Sequence, residues 1–145
     1  MKPETDPITD DEWLLRRIHT DHIHEGRIAE RAFRPRLSGR DPDTNGISLY
    51  RLTCLQNPAE ILATIPEERR PLSGIVQIPV KLILDLGMTV KIEPDSRVLG
   101  HVVIPEMNAD GYISNAEQVG EWISKLTLIA SEPANILLRP TPQAP

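Results

Sequence analysis

A chain of 145 residues has the size of one domain, and its formal net charge of −5 is opposite in sign to a nucleic-acid footprint. Aromatic residues make up only 3% of the sequence, leaving few rings on which bases could stack, and a single cysteine excludes an intrachain disulfide or a thiolate zinc cluster. No run approaches the ~18 apolar residues of a membrane-spanning helix, and the acidic opening "MKPETDPITDDEW" is unlike a signal peptide. These features point to a soluble, cytoplasmic protein.

In chain order, residues 1–8 read as a disordered lead, residues 9–139 as a single α+β domain and residues 140–145 as a mobile Pro-rich tail. "TDDE" at 9–12 is a capping-box pattern, which predicts a short helix passing into a strand near Leu15–His19. Residues 20–45 are polar, Arg-rich and weakly periodic, and "SGRDPDTNG" is dense in turn formers, with Asn45-Gly46 suited to positive φ. "ISLYRLTCL" alternates, with Ile47, Leu49 and Arg51 on one face and Ser48, Tyr50 and Cys54 on the other, and so predicts a strand. "NPAEILATI" opens on an Asn57 cap and Pro58, a helix start. "GIVQIPV" predicts a strand, "VKLILDL" a small helix stopped by Gly87, and "MTVKIEP" and "HVVIP" two more strands. "YISNAEQVGEWISKLTLIA" predicts the last helix, capped at Ser114 or Asn115, with Val119, Ile123 and Leu126 in its apolar stripe. The "ILL" run after it docks or pairs. The sum is a mixed or antiparallel sheet of about four or five strands with about three helices.

The stretch "LLRRIHTDHIHEGRIAERAFRPR" gathers the candidate chemistry. His19, His22 and His24 are candidate metal ligands, although no regular helix or strand points all three at one ion and the H-E-x-x-H spacing is absent. Arginines crowd the same quarter: Arg16, Arg17, Arg27, Arg31, Arg34, Arg36 and Arg40. Arg51 shares the face of Ile47 and Leu49, so it needs either a carboxylate, with Glu60 or Asp85 as candidates, or an anionic ligand, because an unpaired buried charge is too costly. His101 opens an apolar strand directly after Gly100, where its imidazole could serve as acid or base. No G-x-S-x-G elbow raises a serine nucleophile, and Cys54 reads as a small core residue.

The run from "LLRRIH" through "AFRPR", "GISLYR" and "NPAEIL" to "GHVVIP" resembles small bacterial proteins of unknown function, over Leu14 to Pro105. The order of Arg17, the "LY" of Leu49-Tyr50 and Glu60 is similar to that in RES-type toxins, which have an ADP-ribosyltransferase-like fold and consume NAD. That resemblance implies that Arg17 grips the NAD pyrophosphate and Glu60 stabilises charge developing on the ribose. The family's "RW" motif and its C-terminal serine have no counterpart in this chain.

Three functional expectations follow. The first is a small cytoplasmic bacterial accessory or binding protein, without cofactor, acting through a protein partner or as a homo-oligomer. The second is an enzyme acting on an anionic substrate, NAD among them, through Arg17, His19, Arg51, Glu60 and His101, which requires these side chains to converge on one pocket. The third is nucleic-acid binding by the Arg-rich segment, against which the net charge weighs.

Overall fold

The computed structural model describes residues 1–39 and 41–141. Eight strands run in chain order as β1 (Trp13–His19), β2 (Ile23–His24), β3 (Arg27–Ile28), β4 (Ile47–Arg51), β5 (Ser73–Pro79), β6 (Lys91–Ile92), β7 (His101–Ile104) and β8 (Ile136–Leu138). Six form one sheet in the order β6-β7-β4-β1-β5-β8, and β2 and β3 make a separate ribbon. All pairings are antiparallel. The α+β class stands, with more elements than the composition of apolar runs suggests. The α-helices are α1 (Val80–Asp85), α2 (Ala109–Ser114) and α3 (Ala116–Ala130), joined by longer 3-10 segments at Pro58–Thr64 and Glu67–Leu72.

Several local differences have physical reasons. No helix precedes β1: Thr9 and Glu12 close a single turn, with the Thr9 N–H donating to Glu12 Oε2 at 2.8 Å. The Glu12 carboxylate is engaged by Arg51, and the chain then extends to pair with β5 along all seven residues of β1. The expected α-helix at "NPAEILATI" keeps its capping box, Asn57 with Glu60, but winds as a 3-10 helix that ends at Ile65 before Pro66. The single C-terminal helix is two, broken at Asn115, whose φ of −143° and ψ of 56° are not helical. The β2–β3 hairpin turns on Glu25 and Gly26, at φ of 52° and 80°, the two positive angles that a two-residue hairpin favours.

Strand alternation sends side chains to two cores. On one face Leu14, Ile18, Leu49, Val76, Ile78 and Val102 pack against Val119, Ile123, Leu126 and Ala130 of α3 and against Phe33. Each fully buried Leu or Ile contributes roughly 1.5–3 kcal/mol. On the opposite face Leu15, Tyr50 and Ile75 pack beneath Ile61 and Leu62 of the 3-10 segment.

The lead is not loose. Lys2 N–H donates to the Thr53 carbonyl at 2.7 Å, and Arg51 donates to the carbonyls of Glu4, Asp6 and Pro7. At the other end Pro140 is buried and Thr141 N–H donates to the Pro71 carbonyl at 2.7 Å. The remainder of the expected tail, 142–145, lies outside the described residues, as does Arg40. Among the described residues no helix is long and apolar enough to cross a membrane.

Candidate functional site

A defect in the sheet creates the site. β1 pairs with β4 only at Leu14–Arg51 and Leu15–Tyr50, and the two strands then part. Arg16 bridges the opening: its NH1 donates to the Ser48 carbonyl at 2.8 Å and its Nε to the Ala32 carbonyl at 3.0 Å. At Ser48 the guanidinium thus takes the place of a ladder hydrogen bond that the diverging backbones do not make, and at Ala32 it ties down the 3-10 turn Glu30–Ala32. Burial pushes Arg16 down to about 10, with Arg17 and Arg36 acting the same way against Asp43. It remains a cation at neutral pH.

Beyond the Tyr50 ring the second face of the sheet is left uncovered and becomes the floor of a cleft of about 780 Å³, within the range of small-molecule sites. Arg17 of β1, Ser48 and Tyr50 of β4, and His101 and Val103 of β7 line it. One wall is the β1–β4 connection, contributing His22, Arg31, Arg34, Arg36 and Asp43; the other is Glu93–Arg97. Six arginines face four carboxylates there, Asp41, Asp43, Glu93 and Asp95. Arg97 is committed to Asp95 through bonds of 2.8 and 3.1 Å, and that pairing holds the Asp95 carboxyl down at about 2. Arg31 donates to the Asp21 carbonyl. The guanidinium groups of Arg17, Arg34 and Arg36 have no hydrogen-bond or ion-pair partner among the described residues. Burial lowers Arg17 from its ordinary value.

Two histidines register this environment differently. Burial first, then Arg16, Arg31, His19 and Arg17, push the His22 imidazole down to about 4. Its Nδ1 accepts from the His19 N–H at 3.1 Å, consistent with a neutral ring. His101 sits on the floor, 7% exposed, with its ring tilted against Tyr50 at a centroid distance of 5.2 Å. Its Nδ1 lies 2.5 Å from the Glu93 carbonyl oxygen and its Nε2 lies 2.9 Å from Ser48 Oγ.

The five residues expected to converge do not all do so. Arg17 and His101 line the cleft. Arg51 points to the other side of the sheet, fully buried, and pairs bidentately with Glu12 at 2.8 and 2.9 Å rather than with Glu60 or Asp85. Glu60 is spent on the 3-10 cap, accepting from Gln56 and Asn57 N–H groups outside the cleft. His19 caps the turn after β1, its Nδ1 accepting from the Asp21 N–H at 3.1 Å. His24 is exposed on the ribbon, and the His19 and His22 rings stand 6.3 Å apart, so the three histidines do not gather. Among the described residues no group of three or more His, Cys, Asp or Glu is placed to hold a metal ion.

Ser48 and Arg97 escaped sequence reasoning, while His22 stood there only as a candidate metal ligand and Tyr50 only in the Leu49-Tyr50 match. The alternation of "ISLYR" does put Ser48 and Tyr50 on the face opposite Arg51, which was the available signal. Their meeting with His101 depends on the β4–β7 register, Ser48 opposite Val103 and Tyr50 opposite His101, which no local pattern encodes. No protein-family model, curated protein or solved structure shows a significant match to the chain.

Proposed function

We propose that the protein binds a small polyanion, of phosphate or carboxylate chemistry, in the arginine-lined cleft. One observation carries the reading: six guanidinium groups crowd one concave surface of a net-negative chain, and three of them lack a partner among the described residues. Structural arginines are normally matched to carboxylates, as Arg51 and Arg97 are. Unmatched guanidinium forks at this density suit bidentate oxyanions. Tyr50 is the one aromatic ring besides imidazole lining the cleft among the described residues, which favours a compact ligand over a stacked nucleic-acid strand. The NAD-consuming reading needs Arg17 and Glu60 at one site, and only Arg17 is there. An accessory role through a partner has less support: Leu84, Ile113 and Leu128 are exposed singly on α1, α2 and α3.

Calorimetric titration with pyrophosphate tests the proposal. The wild type is expected to bind, with affinity falling as salt rises. Arg17→Ala should weaken binding by about 10- to 100-fold, the loss of one charge-assisted hydrogen bond or two, while Arg69→Ala, outside the cleft, leaves it unchanged. Absent binding, or equal loss in both variants, defeats it.

A further inference from the structure

We infer that Ser48 is a nucleophile, with His101 as its general base, for phosphoryl transfer from a small phosphate monoester held in the cleft. The inference rests on the anion-binding reading and gives that site a chemistry. Three groups stand in line: Ser48 Oγ, His101 Nε2 at 2.9 Å and, on the far side of the ring, the Glu93 carbonyl oxygen at 2.5 Å from Nδ1. A carbonyl oxygen only accepts, so Nδ1 carries the proton and, in the neutral imidazole, Nε2 is left with its lone pair facing the serine hydroxyl. This is the nucleophile–base–orienter arrangement of serine catalysis, with a backbone carbonyl in the place of the usual carboxylate. Burial and the Tyr50 ring fix the imidazole's orientation.

The placement in the fold separates this pair from an ordinary buried hydrogen bond. Ser48 and His101 are diagonal neighbours on β4 and β7 and both line the cleft, the serine half-buried and the histidine buried. The Arg16 guanidinium bonds the carbonyl of Ser48 itself, so a cation stands beside the nucleophile. Arg17 lines the same floor from the adjacent strand. Phosphoryl transfer spreads charge over three equatorial oxygens, and fixed guanidinium groups stabilise it.

The step balances without a redox partner. Ser48 Oγ bonds to phosphorus as the ester P–O bond breaks. The hydroxyl proton passes to His101 Nε2 and then to the departing alkoxide, which leaves as the alcohol. Water next attacks the phosphoserine and gives its proton to Nε2. The Oγ–P bond breaks, Ser48 recovers the proton and inorganic phosphate departs.

The test uses para-nitrophenyl phosphate with the full chain, alongside calorimetric binding of inorganic phosphate. The wild type is expected to release nitrophenolate and to yield a phosphorylated Ser48 peptide after acid quench. Ser48→Ala and His101→Gln should each lower turnover by at least about 100-fold while phosphate still binds. Should His101→Gln fail to fold, Ser48→Ala decides, since it removes a single oxygen. Phosphate binding without turnover, or wild-type turnover in Ser48→Ala, overturns the inference. Failure to bind phosphate at all overturns the anion-binding reading first, and this inference with it.

Discussion

Arg51→Met is expected to lower the stability of the protein by about 3–5 kcal/mol, because it leaves the buried Glu12 carboxylate with only the partly exposed Lys2 ammonium, 3.7 Å away, as a counter-charge. Arg51 is 0% exposed and Glu12 3%. Their network is closely satisfied: two bonds join guanidinium and carboxylate at 2.8 and 2.9 Å, Thr53 Oγ1 donates to Glu12 Oε1 at 2.8 Å, and the Asp6 carbonyl accepts from Arg51 at 2.7 Å. Removing both charges together, in Glu12→Gln with Arg51→Met, should recover much of the loss, since a buried pair repays its desolvation only in part. The same pair sets an acid limit. Burial alone would raise the Glu12 carboxyl, but hydrogen bonds from Arg51, the Thr9 N–H and Thr53 outweigh it and bring the value down from 4.5 to about 2. A depressed carboxyl contributes fully above its unfolded value and loses that contribution as pH falls through its folded value. Glu12 should therefore contribute roughly 3 kcal/mol that denaturant unfolding shows being lost between about pH 4.5 and pH 2, and Glu12→Gln should flatten this slope, leaving the part due to Asp95. A pH-independent wild type, or a neutral Arg51→Met, contradicts the assignment.

Gly46→Ala is expected to be the most damaging substitution around the cleft. Gly46 has φ of +118°, and an added Cβ would meet the Ile104 carbonyl oxygen at 2.2 Å and its carbon at 2.7 Å. Both obstacles are backbone atoms of the paired strand β7, so no rotamer relieves the clash. The strained angle alone costs about 1–2 kcal/mol, and parting the β4–β7 edge brings the expected loss to about 3 kcal/mol or more. The shift would also carry Ser48, two residues on, away from His101. Thermal unfolding measures the first effect. Gly39→Ala is the control: it too has positive φ but open space around it, and should cost only the angular term. Equal melting temperatures for the two variants would remove the close approach from the account.

The sheet was legible where residues alternate, as in "ISLYR", or form a short apolar run, as in "GIVQIP" and "HVVI", whose strands are mostly buried. "ISLYR", "GIVQIP" and "HVVI" became β4, β5 and β7, and the "ILL" run became the edge strand β8 on β5. β2 and β3, of two residues each, are too short to produce a period and account for excess strands, while the strand expected at "MTVKIEP" is present only as Lys91–Ile92. The strand expected near Leu15–His19 is real but begins at Trp13, and the parting of β1 from β4 leaves the gap that the Arg16 side chain spans. The need of Arg51 for a carboxylate followed from its face, but the identity of Glu12 required the lead to fold back, a contact 39 residues distant. The cleft was half visible. An arginine cluster stands in the sequence, while its convergence with Ser48, Tyr50 and His101 is a property of strand register.

His22 reports the potential that the whole account rests on. In the free protein its imidazole should titrate at about 4, because burial and the surrounding arginines Arg16, Arg31 and Arg17 oppose its charge. A bound polyanion neutralises those arginines, so saturating pyrophosphate should raise the midpoint by about one pH unit or more, corresponding to about 1.4 kcal/mol of interaction. Side-chain NMR of His22, recorded with and without pyrophosphate, reads both values from one nucleus pair. A depressed midpoint that climbs on addition of the ligand is the predicted result. A free midpoint at the ordinary 6.5, or one that ignores pyrophosphate at saturation, would contradict an anion held among these guanidinium groups.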